Sequence, residues 1–367
     1  MTTRYEPDFP PRRIAFFISP HGFGHAARAA SVMEALAEIE SPILFDIFTT
    51  VPAWFFNHSN TFDFRYHSLL TDIGLVQMNP FQEDLPATVQ HLKNFLPFDQ
   101  AQIAPVAEKI RHMQSELVIC DIAPMGLLIA READVPSVLI ENFTWDWIYQ
   151  GFEEAGLHEF NQYLQSIFAK ATCHIQTQPI CNPAAVDFTA GPASRKIKTP
   201  SGEIRQRLGI SASGKVIIIT AGGVPKNYGF IEKLKTQTAT HFIIPGASNS
   251  VHIQDNLILL PENSEFFHPD LVNACDAVIG KAGYSTIAEV YQAGIPFGYS
   301  ARAHYRESEP LVSFIENKMH GFAIGQSEFN NGDWIYRIED LLALPRVQRN
   351  TSNGADQIAG FIANLLK

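Results

Sequence analysis

Twice along this chain an apolar run ends in a glycine-bracketed loop that feeds a helical pattern. Residues 14–19, Ile-Ala-Phe-Phe-Ile-Ser, lead into Pro20-His21-Gly22-Phe23-Gly24-His25 and then an alanine-rich amphipathic stretch over 26–38. Residues 277–279, Ala-Val-Ile, lead into a loop bracketed by Gly280 and Gly283; a helical pattern opens at Thr286 and stops at Gly294 and Pro296. Short apolar runs of this kind suit parallel strands buried on both faces, and such strands need crossovers, usually helical. Further runs at 43–49, 117–120 and 138–140, and at 216–220, 241–244, 256–260 and 296–299, extend both sets. A helix is expected over 124–133. The expected fold class is α/β, with two doubly wound, Rossmann-like domains facing a central cleft. Ligands of such sheets lie beyond the carboxyl ends of the strands.

The 367 residues are long for one core and comfortable for two. Residues 187–203 change character: Gly, Pro and Ser surround Arg195, Lys196 and Lys198, which reads as an interdomain linker. The expected division is residues 1–188, residues 189–353, and a C-terminal helix within 354–367 that packs back on a sheet. Ile358, Phe361, Ile362 and Leu365 share one stripe of that helix. The first helix turns Met33 and Leu36 inward and Arg28, Glu34 and Glu38 outward. A net charge of −11, with no basic face to offset it, argues against a nucleic-acid partner. No stretch reaches the roughly 18 apolar residues of a spanning helix, and residues 1–13 have no signal-peptide core. Cys120, Cys173, Cys181 and Cys275 are scattered and read as reduced, buried thiols of a cytoplasmic protein.

The second glycine loop has the makings of an anion site. Backbone N–H groups at a helix start and the helix dipole favour negative charge. Lys281 adds a cation, Ser285 and Thr286 add hydroxyls, and Glu289 is placed to accept from a ribose. Thr286-x-x-Glu289 is equally a capping box that needs no ligand. Gly222 and Gly223, after the strand at 216–220, allow a second close backbone approach to an anion. In the first half, His25 and Asp121 both fall at strand ends. His25 suits a general base, with Asp121 accepting from its second ring nitrogen. Two other readings stand beside this. Each residue alone is a helix cap, and residues 22–27 satisfy a G-x-G-x-x-A dinucleotide fingerprint. That fingerprint wants an acid closing the second strand, whereas Asp46 lies inside it.

Three aromatic stretches are open to two readings each. Residues 72–104, with Asp72-Ile73-Gly74-Leu75-Val76-Gln77 and Phe81, Phe95 and Phe98, either shape a second substrate pocket or elaborate the packing. Phe143-Thr144-Trp145-Asp146-Trp147 is either a sugar-stacking platform or core. Trp54-Phe55-Phe56 either touches a membrane surface or packs an edge. Gln77, Trp145 and Asp146 are the acceptor-side candidates.

Taken together, these segments resemble glycosyltransferases of the two-Rossmann GT-B fold over nearly the whole length. The Gly24-His25 loop resembles the one that carries the catalytic histidine of sugar-nucleotide transferases, and Asp121 falls where their orienting aspartate lies. Residues 283–289 are similar to their donor signature, whose glutamate binds the ribose. Lys281 stands where plant enzymes have a phosphate-binding histidine, Ser285 where they have asparagine, and Ser308-Glu309 where they have an acidic–glutamine pair near the donor sugar. A tighter resemblance is to the glycosyltransferase-like N-terminal domain of plant L-arabinokinases. It rests on His21-Gly22-Phe23-Gly24-His25-Ala26-x-Arg28, Asp72-Ile73-Gly74-x-Val76-Gln77, Asn142-Phe143-Thr144-Trp145-Asp146 and Gly280-Lys281-x-Gly283-Tyr284.

The resemblance implies a nucleotide-sugar glycosyltransferase, UDP-dependent and inverting, acting on an acceptor hydroxyl. Its first domain holds acceptor and base (His25, Asp121). Its second holds the donor (Gly222, Gly223, Gly280, Lys281, Gly283, Ser285, Thr286, Glu289, Glu309). No D-x-D metal motif occurs; neither a metal nor a resident cofactor is expected, the nucleotide-sugar being a co-substrate. The alternatives are a nucleotide-sugar hydrolase and a non-catalytic sugar- or nucleotide-binding regulator.

Overall fold

The apolar runs become strands in the computed structural model, which describes residues 11–40, 42–59, 61–221 and 228–367. The first half contributes β1 (Arg12–Ile18), β2 (Ile43–Thr49), β3 (Asp63–Ser68), the hairpin β4 (Gln77–Asn79) and β5 (Gln82–Glu83), β6 (Leu117–Asp121), β7 (Ser137–Glu141), β8 (Cys173–Thr177) and β9 (Phe188–Ala190). Apart from the hairpin they form one parallel sheet in the order β3-β2-β1-β6-β7-β8-β9. The second half contributes β10 (Lys215–Thr220), β11 (Thr240–Pro245), β12 (His252–Gln254), β13 (Leu257–Leu260), β14 (Ala277–Lys281), β15 (Phe297–Ser300) and β16 (Gly321–Ala323). Their order is β12-β13-β11-β10-β14-β15-β16, parallel except for β12.

Both sheets are wound alike. The strand order reverses between β1 and β6 in one and between β10 and β14 in the other. A reversal of strand order of this kind opens a crevice at the carboxyl ends of the strands. Gly280 marks how tightly the second crevice is built: a Cβ there would lie 2.3 Å from the Thr220 carbonyl oxygen.

Six helices matter for the cleft: α1 (Phe23–Ile39), α2 (Pro124–Ala133), α3 (Trp145–Gln150), α4 (Tyr284–Ala293), α5 (Ser308–Lys318) and α6 (Gly354–Leu365). α1 buries Ala26, Val32, Met33 and Leu36 against one face of the first sheet. α6 returns from the second domain to the same face, where Ala355, Ile358, Ala359 and Ile362 join that core and Phe361 stacks on Phe188 at 4.8 Å. Leu365 lies off the buried stripe and is 48% exposed. The stretch that reads as an interdomain linker is packed against the first sheet and the last helix. Residues 188–190 are the edge strand β9, and Ala193, Ser194 and Arg195 are buried. Asn353 caps α6 and bonds Ser194 through both amide groups. Phe55 and Phe56 are core side chains, so the aromatic run after β2 packs an edge. The four cysteines are free and buried. Among the described residues, no helix is long and apolar enough to cross a membrane.

Ile358→Ala is expected to lower the unfolding free energy by about 2–5 kcal/mol in urea titrations, since the methyls sit in a closed core. Leu365→Ala on the exposed side should change it by no more than about 0.5 kcal/mol.

Candidate active site

The loop after β1 turns at Gly22, whose φ of 71° is the left-handed region open to glycine. α1 therefore begins at Phe23, and His25 lies in its first turn instead of in the loop. Asp121 is the last residue of β6, the neighbour of β1 across the reversal. These supports bring His25 Nδ1 to 3.0 Å from Asp121 Oδ1. An ionised carboxylate only accepts, so Nδ1 carries the hydrogen. The other ring nitrogen has no partner among the described residues, and His25 borders a small cavity. Ile122, next to Asp121, is held at φ 42°, a strained conformation for a β-branched residue. The kink sits between the end of β6 and the start of α2.

Arg28 lies on the face opposite to the one expected. It is 1% exposed. Its Nε and Nη2 donate to Asp121 Oδ2 and Oδ1 at 2.8 and 2.7 Å, and Nη1 donates to Asn142 Oδ1 at 2.6 Å. The guanidinium lies 4.6 Å from the centre of the Tyr284 ring, which belongs to the second domain. Burial pushes the Asp121 carboxyl up; the Arg28 charge and the bonds from His25 and Arg28 outweigh it and hold Asp121 below its ordinary value. Glu34 is also buried, engaged by Thr61, the Lys196 backbone and Lys198. Of the three expected outward charges only Glu38 is exposed. The usable signal was spacing: Arg28 is three residues from His25 and so shares its helix face.

In the second domain, Gly283 is the N-cap of α4, with no side-chain cap. Thr286 therefore lies inside the first turn, and Glu289 closes no capping box. Glu289 Oε1 accepts from Arg195 Nη2 and Nε at 2.8 and 3.2 Å, and Oε2 pairs with His268 Nδ1 at 2.7 Å. Burial alone raises a carboxyl; Arg195 and His268 override it and hold Glu289 at about 2. Arg195, in the stretch that reads as a linker, is 7% exposed, with ring centres of Phe55 and Phe267 each 4.9 Å away.

Ser285, Thr286 and Glu289 line a cavity of about 460 Å³ between the domains, with Phe23, Gly24, Trp54 and Phe55 opposite. A second cavity, about 80 Å³, lies on the His25 side and shares Phe23, Gly24, Ser285 and Thr286 with the first. The starts of α1 and α4 meet where the two join: a Cβ on Gly24 would sit 3.8 Å from Ser285 Oγ. Neither helix has an acidic residue in its first turn.

Lys281 borders the small cavity, not the large one. It makes no hydrogen bond or ion pair among the described residues. Burial and the Arg302 charge pull it down to about 7, partly offset by Glu307 and Glu83. Arg302 itself pairs with Glu83 at 2.7 Å and Glu307 at 3.6 Å. Gln77 is in the same wall, with Gly283 and Glu307.

Several expected positions fall elsewhere. Glu309 is exposed and borders neither cavity; Glu307, two residues earlier, faces the small one and accepts from Asn142 Nδ2 at 3.1 Å. Gly280 is consumed by the close approach of β10. Trp145 is 1% exposed and supports the rings of His21 and His25 at 5.1 and 6.2 Å from behind the wall. Asp146 is buried beside it, and neither borders either of these two cavities. Gly222 and Gly223 lie outside the described residues.

Residues 12–298 match the family model described as Glycosyl transferase family 1. An L-arabinokinase of Arabidopsis thaliana is 25% identical over 356 residues, which are 95% of this chain but 34% of that protein. The chain thus spans about a third of that relative's length. A UDP-N-acetylglucosamine–N-acetylmuramyl-(pentapeptide) pyrophosphoryl-undecaprenol N-acetylglucosamine transferase of Bacillus pumilus is 22% identical over 259 residues, 65% of this chain and 68% of that one. Among solved structures, a UDP-glucosyltransferase from Polygonum tinctorium capable of glucosylating indoxyl superposes with a TM-score of 0.60 at 12% identity, covering 98% of this chain and 94% of that one.

The Glu289 cluster predicts a pH signature. A carboxyl lowered from 4.5 to about 2 stabilises the fold fully above its unfolded value, and the gain is lost as pH falls toward about 2. Urea unfolding at about pH 6 and about pH 3 should show a larger loss for the parent protein than for Glu289→Gln.

Proposed function

This chain is a member of glycosyl transferase family 1 with the two-domain GT-B fold, and from that premise we propose that it transfers a sugar from a UDP-sugar to an acceptor hydroxyl with inversion. The observation that carries the reading is the His25–Asp121 contact of 3.0 Å beside the meeting point of two uncapped helix starts. His25, through its unpartnered nitrogen, takes the proton of the acceptor hydroxyl as that oxygen attacks the anomeric carbon. The bond from that carbon to the phosphate oxygen breaks, and its electron pair leaves with the diphosphate. Asp121 keeps the imidazolium aligned. Backbone N–H groups of α1 and α4, the hydroxyls of Ser285 and Thr286, and Lys281 meet the charge that develops on the leaving group. The cavity of about 460 Å³ is the nucleoside's place, with Glu289 toward the ribose.

The UDP assignment is supported by two of the relatives, which are themselves named for UDP-linked donors. No step of this transfer is routed through a metal or resident cofactor, the donor being the co-substrate. Four free, buried thiols fit a cytoplasmic setting, and the acidic composition fits a partner other than nucleic acid.

One observation favours hydrolysis as a second reading. The cavity at His25 is about 80 Å³, room for a few waters. Incubating the protein with UDP-sugars, with and without hydroxyl acceptors, separates the two by whether UDP release needs an acceptor. UDP binding without turnover over the whole panel would point to a regulator.

His25→Ala is expected to lower turnover roughly 10²–10⁴-fold while calorimetric UDP affinity stays unchanged. An unaltered rate ends the base assignment. A second expectation concerns Lys281. Its cation is lost as pH rises through about 7, and a bound diphosphate holds the proton on. UDP affinity should therefore fall between about pH 7 and about pH 9, with proton uptake on binding, and Lys281→Met should remove that dependence.

A further inference from the structure

We propose that Arg28 is a positioning residue that sets the protonation and aim of His25 by sharing Asp121 with it. This rests on His25 as the base. In a simple histidine–aspartate pair the carboxylate answers to the imidazole alone, and its full charge draws a proton onto the ring. Here Asp121 is gripped first by a guanidinium fork. Both carboxylate oxygens accept from Arg28, at 2.8 and 2.7 Å, and the imidazole takes only a share of Oδ1 at 3.0 Å. Arg28 Nη2 lies 3.4 Å from His25 Nδ1. A fixed positive charge at that range opposes a second one on the ring. The fork thus leaves Asp121 to orient the imidazole through one shared oxygen.

The placement of Arg28 is overdetermined. Asn142 Oδ1 fixes its third nitrogen, and Asn142 in turn donates to Glu307 of the second domain. Tyr284, the first residue of α4, supplies its ring as the aromatic wall and is itself anchored by Thr177 Oγ1 at 2.7 Å. The other groups around His25 are few. His21 comes from the loop after β1, and the rings of Phe143 and Trp145 from the segment after β7. Lys281, Arg302, Tyr305 and Glu307 line the same cavity from the second domain, and Arg302 is paired with Glu307 and with Glu83 of the first domain's hairpin. Among the described residues, Arg28 is therefore the cation in direct contact with the His25–Asp121 pair.

The test reads the ring itself. Histidine side-chain ¹⁵N NMR follows the His25 titration in the ligand-free protein, with His25→Gln identifying the signal. Arg28→Met should raise the midpoint by about one pH unit or more, because the carboxylate is left to the imidazole alone. Arg28→Lys, which restores charge without the fork, should return most of the shift. Should Arg28→Met not fold, Arg28→Gln, neutral but able to bond Asp121, carries the same expectation. A midpoint unmoved in the neutral variant overturns the inference. That outcome is separate from the base assignment, which stands or falls with the His25→Ala rate.

Discussion

Two helices begin, without side-chain caps, within contact distance of each other, and the cleft is arranged around their unpaired N–H groups. Gly22 and Gly283 are the respective N-caps, and glycine at these positions leaves the first turns bare. Each helix follows the strand at which its sheet reverses, so winding order alone delivers both tips to the interdomain space. The electrostatic cost of facing two positive helix ends at close range is relieved by an anion between them. This is why a glycine loop that is ambiguous in one domain becomes informative when its counterpart lies opposite.

The second organising element is a set of buried arginines. Arg28 grips Asp121, Arg195 grips Glu289, and Arg302 is held by Glu83 and Glu307. Each joins segments far apart in sequence, and Arg302 crosses between the domains. Burying such pairs gives little net stability, because desolvation consumes most of the attraction. What they secure is geometry: a planar fork fixes both oxygens of a carboxylate, as a lysine does not. Glu289 shows the consequence. Its two oxygens are oriented by Arg195 and His268, so the side chain is held in one place on the wall of the large cavity.

The sheet framework and the His25–Asp121 contact were legible because both follow from chain-local rules. Apolar runs mark parallel strands, and polar residues at their ends face the crevice. The arginines were not legible for the same reason. Periodicity sends charged side chains to solvent; only the three-residue step from His25 hints at Arg28, and nothing local distinguishes Glu34 from Glu38, which is exposed. Their burial depends on Asp121, Asn142 and the 196–198 segment, far away in sequence. Strands β3, β8, β9 and β16 escaped notice because they alternate polar and apolar residues or are only three residues long. Analogy of position points to Glu309 and passes over Glu307. The helix α5 starts at Ser308, and that start leaves Glu307 as the residue turned inward.

The stretch 72–104 explains why the His25 side of the cleft is so confined. Its hairpin is not part of either sheet, yet it reaches across the gap. Glu83 pairs with Arg302, Phe81 meets Phe329 edge-on at 5.5 Å, and Gln77 is left in the cavity wall. Behind it, Asp72 bonds Ser19 and the Gly74 carbonyl accepts from Tyr149, which ties the insertion to the strand end that leads into His25. A doubly wound core supplies the helix tips and the histidine, but it leaves the rim open. Here the rim is closed by an element the core does not require. The size and polarity of the space at His25 are therefore set by the hairpin and by Arg302, and a change in the hairpin alters the small cavity without touching the lining of the large one.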